Sequence, residues 1–223
     1  MSKYRVSFGG ELEDEVFDTE EEAEESAEES EDEAEEFAAD DVDEIAFIEE
    51  VAEEIGVSAV EAKKRIRFNY SFLAKLTLAK HEQKEYYKQL LEFLSGYSVK
   101  YARSWKKERV YKGRQVFAVL IFRGKTLGVA LALDPKDYEG SKYRFKDISA
   151  VKRYEKTPML MKLTSDRKLK HTKELLRAMF AKAGIATVDN SNYKPEKIVT
   201  RTRKQLLKQG LIKTNVPIDE IKD

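Results

Sequence analysis

Cations interleaved with aromatic rings are the pattern in this sequence that carries a chemistry of its own. Tyr101, Arg103 and Trp105 alternate with Lys100, Ala102, Ser104 and Lys106; Lys107, Arg109 and Arg114 follow, and Arg123 and Lys125 come at a turn beyond. Guanidinium and ammonium groups neutralise phosphate while flat rings stack on bases, a combination that holds unpaired nucleic-acid strands without reading their sequence. The competing reading puts Tyr101 and Trp105 in a core and leaves the cations as a solvated rim, since a single Trp in a small domain is usually largely buried. A second cationic group, Arg201, Arg203 and Lys204, lies near the end of the chain.

Other constellations carry less. His81 and His171 are the two histidines, and neither has a second histidine at ligand spacing. His171 and Glu174 share a helix face, but two groups fall short of the coordination that a transition metal needs. The chain has no cysteine, which removes disulfides and thiolate metal sites and agrees with a reducing compartment. Gly124-Lys125-Thr126 matches the end of a phosphate-binding loop, yet Val119 stands where that loop requires Gly, and a strand is expected where it requires a helix. Asp134 and Asp137 beside Pro135 have the make-up of turn formers rather than of an acid and base pair. No Ser or Thr lies in a nucleophile elbow. A catalytic role is therefore not expected, nor a cofactor or a metal.

The elements that must position the cations centre on a β-hairpin. Val116 to Phe122 and Leu127 to Leu133 are apolar runs of strand length around Arg123-Gly124, where Gly supplies the positive φ of a tight turn. With a two-residue loop there, Phe122, Leu120, Ala118 and Val116 share one face with Lys125, Leu127, Val129 and Leu131. Ile121, Val119 and Phe117 then oppose Thr126, Gly128 and Ala130 on the other. So few polar residues on either side predict a central position, covered on both faces. Phe68 to Ala79 reads as a strand of period two, and so does Val99 to Trp105. His81 to Leu94 carries a helical stripe of Tyr86, Leu90, Phe93 and Leu94, closed by Gly96. Ser165 caps a second helix, from Arg167 to Ala183, after a strand at Met159 to Thr164. The expected fold is α+β, a mainly antiparallel sheet of about five strands with the helices 81–94 and 167–183 packed on it and a long irregular segment over 136–156.

Net charge conceals the strongest feature of the chain. Of 223 residues, 41 are Lys or Arg and 42 are Asp or Glu, a formal charge of -1. Residues 1–61 hold 26 acids against Lys3 and Arg5, so the remainder carries 39 cations and 16 acids. That division predicts an acidic N-terminal arm over 1–62, a body over 63–186 that seeks polyanions, and a basic tail over 187–223. The arm opens with a small hairpin around Gly9-Gly10 and then a capping box, Thr19 with Glu22, that launches a helix of Glu, Ala and Ser. Carboxylates three and four apart repel, so the bland expectation is a solvated, partly disordered segment. The sharper ones are a cation-binding ridge or a nucleic-acid mimic. Helical spacing returns at Ile45, Ile48, Ala52 and Ile55, and Ser58 with Glu61 forms another capping box. In the tail, Pro195 opens a basic helix with Ile198, Thr202 and Leu206 on one side, ending at Gly210. The chain opens without a secretory apolar segment and holds no run of membrane-spanning length, so a cytoplasmic location is expected.

The runs FLAKLTLA, EYY, VKYARSWKKE, RGKTLGVALALDPKDY and TPMLMKL before SDRKLKHTKELL resemble an uncharacterised bacterial domain family, loosely similar to the YdhG-like, frataxin-like α/β domains, over roughly residues 67–185. The resemblance implies an α and β fold and, through the frataxin-like members, iron handling. The sequence expectation for function is a non-catalytic module whose basic body engages RNA or DNA, modulated by the acidic arm. The alternatives are a cation- or iron-handling protein using the arm, and a component of an enzyme system without catalytic residues of its own.

Overall fold

A computed structural model describes residues 66–195 and 197–215, with short stretches at 4–6, 15–17, 47–49, 51–53, 56, 58 and 62. The helix expected after Thr19 and the pairing of Ser58 with Glu61 lie outside the described residues. The chain divides into two compact units, Tyr70–Thr202 and a second formed by Met1–Asn69 with Arg203–Asp223. Two short strands, β1 (Tyr4–Val6) and β2 (Glu15–Phe17), pair antiparallel as the expected N-terminal hairpin. Strand β3 (Phe68–Tyr70) precedes the larger unit and pairs with a strand from the end of the chain.

The larger unit is α+β and holds a six-stranded sheet. Its strands are β4 (Lys100–Arg103), β5 (Lys107–Lys112), β6 (Gln115–Arg123), β7 (Thr126–Leu131), β8 (Lys146–Asp147) and β9 (Met159–Lys162), in the order β4-β5-β6-β7-β9-β8, with every pairing antiparallel. The apolar hairpin β6-β7 is central, as its composition requires. Its turn is Gly124-Lys125, with Gly124 at φ 56, rather than Arg123-Gly124, because Arg123 still pairs with Thr126. Moving the turn by one residue slides each partner by two, so Phe122 meets Leu127 and Leu120 meets Val129, and residues 118–122 keep their expected faces while Lys125 falls in the turn. A register shift at Val110 and Tyr111 breaks the pattern lower down. Beyond this bulge Phe117 joins Ala118 in the main core, and Val116 turns to the second apolar cluster.

Helices cover one face of the sheet, the inner face. They are α1 (Phe72–Leu78), α2 (His81–Ser95) and α3 (Asp166–Lys182). Residues 72–78 are thus a helix and not the expected strand. FLAKLTL satisfies both periods, but the Ser71 side chain accepts from Ala74 N at 3.1 Å and so caps a helix, and Leu, Ala and Lys favour that state. Phe72 and Leu76, four apart, then enter one core with Leu90, Leu94, Leu120, Phe122, Leu127, Met159 and Phe180. Each such side chain, fully buried, contributes about 1.5–3 kcal/mol relative to exposure. Rings lock the layer, with Phe72 at 5.5 Å from Phe122 and Phe117 at 5.6 Å from Phe180. One polar clasp ties α2 to the sheet. The buried Gln83 amide donates to Leu163 O at 3.0 Å and its oxygen accepts from Leu127 N at 2.7 Å, just where the β7-β9 ladder ends.

The opposite, outer face has its own small cluster. Val119, Ile121, Ala130 and Leu160 are covered by Ile148 and Tyr154 from the segment after the 3-10 turn Pro135–Tyr138. That segment, irregular to the eye, bonds to itself: Val151 N donates to Ile148 O at 3.1 Å, Tyr154 N to Val151 O at 2.8 Å and Thr157 N to Tyr154 O at 2.7 Å. Small residues make room in the sheet beneath it. A Cβ on Gly128 would stand 2.9 Å from Leu160 Cδ1.

In the second unit, β3 pairs with β10 (Ile212–Thr214), next to α4 (Arg203–Lys208). Leu206, Leu207 and Ile212 are buried there, as are Phe47, Val51, Ala52, Ala62 and Ile66. Phe47 packs on Phe68 with ring centroids at 5.0 Å. The basic helix expected from Pro195 begins only at Arg203. Ile198, Val199 and Thr200 form a run of β-branched residues, poor in helix, and Ile198 packs on the core of the larger unit instead.

Candidate nucleic-acid interface

Strand parity divides the cationic residues between the two faces of the sheet. Tyr101 pairs with Val110 and Arg103 with Glu108, both buried, so these two side chains lie on the inner side at the edge strand. There Arg103 Nη2 donates to Tyr87 Oη at 2.7 Å and reaches Glu108 Oε1 at 3.5 Å, while Tyr87 Oη donates to Glu108 Oε2 at 2.7 Å. Arg103 thus neutralises a buried carboxylate. Tyr101 is 38% exposed, yet burial, with Tyr193 and Glu108 adding, pushes its hydroxyl up to about 12. Trp105, expected to close a strand from Val99, lies instead in the connection between β4 and β5 and is half-buried; its carbonyl accepts from Phe72 N at 2.6 Å and so satisfies the start of α1.

Lys107 and Arg109 take the outer face, since they pair with Ile121 and Val119 of the outer cluster. Arg123 has the same parity. Lys107 Nζ and Arg123 Cζ lie over the Tyr154 ring, at 5.6 and 5.7 Å from its centroid, within the range of cation–π attraction. Lys162, paired with Gly128, and Lys146, paired with Leu160, bring cations to the same face from β9 and β8. Lys152 and Arg153 precede Tyr154 in the covering segment. Lys125 sits in the β6-β7 turn. Arg114, in the turn after Gly113, is at the opposite end of β6 from Arg123, about 30 Å away along an extended strand at ~3.4 Å per residue.

The structure therefore brings Lys107, Arg109 and Arg123 together, with Lys125 at the adjoining turn. It sets Tyr101, Arg103 and Trp105 apart from them and places Arg114 at the far end. Arg201 lies in the irregular end of the larger unit, whereas Arg203 and Lys204 open α4 in the other. Each of Arg103, Lys107, Arg123, Lys125, Arg203 and Lys204 makes a polar, ionic or ring contact. Sequence reading missed Tyr154, Lys146 and Lys162. The signal for Lys162 was the one polar residue closing the apolar strand MLMK, and for β5 it was the alternation of Lys107 and Arg109 with Glu108 and Val110.

His171, considered as a metal ligand on its spacing to Glu174, is buried with its ring edge-on to Tyr143 at 5.3 Å. Glu174 accepts from Lys142 Nζ at 2.8 Å, and that ammonium holds its carboxyl below the usual range. Among the described residues no group of three or more His, Cys, Asp or Glu could hold a metal ion, and no helix is long and apolar enough to cross a membrane. The acidic arm, on which iron handling would depend, is mostly outside the described residues. Comparison with known proteins gives no match to a family model, a curated protein or a solved structure.

Proposed function

We propose that the protein is a non-catalytic binding module whose outer sheet face engages a polyanion, RNA or DNA, with the acidic N-terminal segment competing for the same cations. The reading is carried by the convergence of Lys107 and Arg123 on Tyr154, on a face that also bears Arg109, Lys146 and Lys162. Tyr154 is 4% exposed under its two cations. It orients charge and offers no open ring to a base, so affinity comes from phosphate neutralisation rather than stacking.

The test is oligonucleotide binding by fluorescence anisotropy over a range of salt. Replacing Arg123 and Lys125 with Ala is expected to weaken binding to every sequence. It should also flatten the plot of log affinity against log salt by about 0.9 for each duplex phosphate that is no longer neutralised. Unchanged affinity and slope in a folded variant would remove this face from the proposal.

A further inference from the structure

The outer-face cations do not form one line. Pairing across the sheet sets Lys107, Ile121, Gly128 and Lys162 in a single row, one residue from each of β5, β6, β7 and β9. The neighbouring row runs from Arg109 through Val119, Ala130 and Leu160 to Lys146. Both rows begin and end with a cation and have apolar or small residues between. At ~4.8 Å per strand, their ends stand roughly 14 and 19 Å apart. Two cationic rims thus flank an apolar strip, one along β5, the other along β9 and β8.

The middle of the strip is roofed by Ile148 and Tyr154. Lys152 and Arg153 belong to that roof, with the exposed Glu155 as an opposing charge beside them. Positive charge therefore occurs at both rims and between them.

We infer that the nucleic acid taken by this face is a duplex, with one phosphate backbone on each rim and a groove over the roof. The inference rests on the polyanion reading. A single strand follows one line of charge and gains from open ring faces, and the Tyr154 ring at the centre of this site is covered. A duplex instead presents two phosphate ridges across a gap. The B-DNA major groove is about 12 Å wide, and double-stranded RNA is held by shape across its broad minor groove. Long Lys and Arg side chains can close inward from either rim to such a gap. Recognition of this kind reads shape and is insensitive to sequence.

The experiment uses the full chain with a short duplex DNA, the matching duplex RNA and each single strand of the same length. The β5 rim is altered by Arg109→Ala and the opposite rim by Lys146→Ala with Lys162→Ala, with the conservative Arg109→Lys and Lys146→Arg as controls and melting curves for each. Expected is tighter binding of a duplex than of its strands, several-fold loss of duplex affinity from either rim alone, and retention by the conservative variants. Single strands bound as tightly as duplex, or a silent rim in a folded variant, would overturn the duplex assignment and leave the polyanion reading in place. No binding of any oligonucleotide would overturn both.

Discussion

Arg103 and Tyr101 make the difference between charge that binds and charge that builds. Arg103 donates to Tyr87 and reaches the buried Glu108, so its removal leaves a carboxylate with one fewer partner. Arg103→Ala is expected to destabilise the larger unit by about 1–3 kcal/mol, the usual cost of an unmet buried polar group, with oligonucleotide affinity per folded molecule unchanged. Thermal melting and anisotropy on one preparation check both halves. Tyr101 is expected to show in alkali. Its neutral form is favoured in the fold, with the hydroxyl pushed up to about 12 from an ordinary value near 10. The stability linked to that proton is whole below pH ~10 and is lost as pH rises toward 12. Phenolate absorbance should therefore lose a component that ionises near pH 12 in Tyr101→Phe, and loss of an ordinary component near pH 10 would count against the burial of this ring.

At the scale of elements, Gln83 joins helix to sheet with a single amide. Gln83→Leu fills similar space but leaves Leu127 N and Leu163 O unpaired, and a loss of about 1–3 kcal/mol for each is expected in chemical denaturation. A change under ~0.5 kcal/mol would mean that water replaces the clasp. Elements with one unambiguous signal were legible in the sequence: α2 and α3 by apolar stripe and terminator, β6 and β7 by apolar runs around a Gly turn. Those with two compatible signals were not. FLAKLTL fits either period until the Ser71 cap decides, and KERVYK was not expected as a strand because its inward Glu108 is held by Tyr87, 21 residues away, and by Arg103 of the neighbouring strand. The candidate site was half legible for a related reason. Residue type marked Lys107, Arg109 and Arg123, whereas which face each side chain takes depends on pairing partners, and these also bring in Lys146 and Lys162.

For the whole molecule, opposite charges are segregated along the chain rather than mixed. Eleven glutamates fall between Glu20 and Glu36. Replacing them with Gln in the full chain is expected to tighten oligonucleotide binding and steepen its salt dependence, because more body cations are then available to phosphate. Equal affinities at low salt would leave the segment as a solubilising one. Trimming the whole of residues 1–62 is a poorer experiment, since Phe47, Val51, Ala52 and Ala62 are buried in the second unit.

That unit draws its core from both ends of the chain, and time enters here. Arg67 N donates to Asn215 Oδ1 at 2.7 Å across 148 residues of sequence. At a synthesis rate of about 5–20 residues per second, β3 waits roughly 7–30 s after its own translation before β10 exists to pair with it. The larger unit, contained within that interval, can complete its sheet while β3 still has an open edge. A ribosome-bound nascent chain is therefore expected to hold a folded centre and an unfinished second unit until β10 emerges.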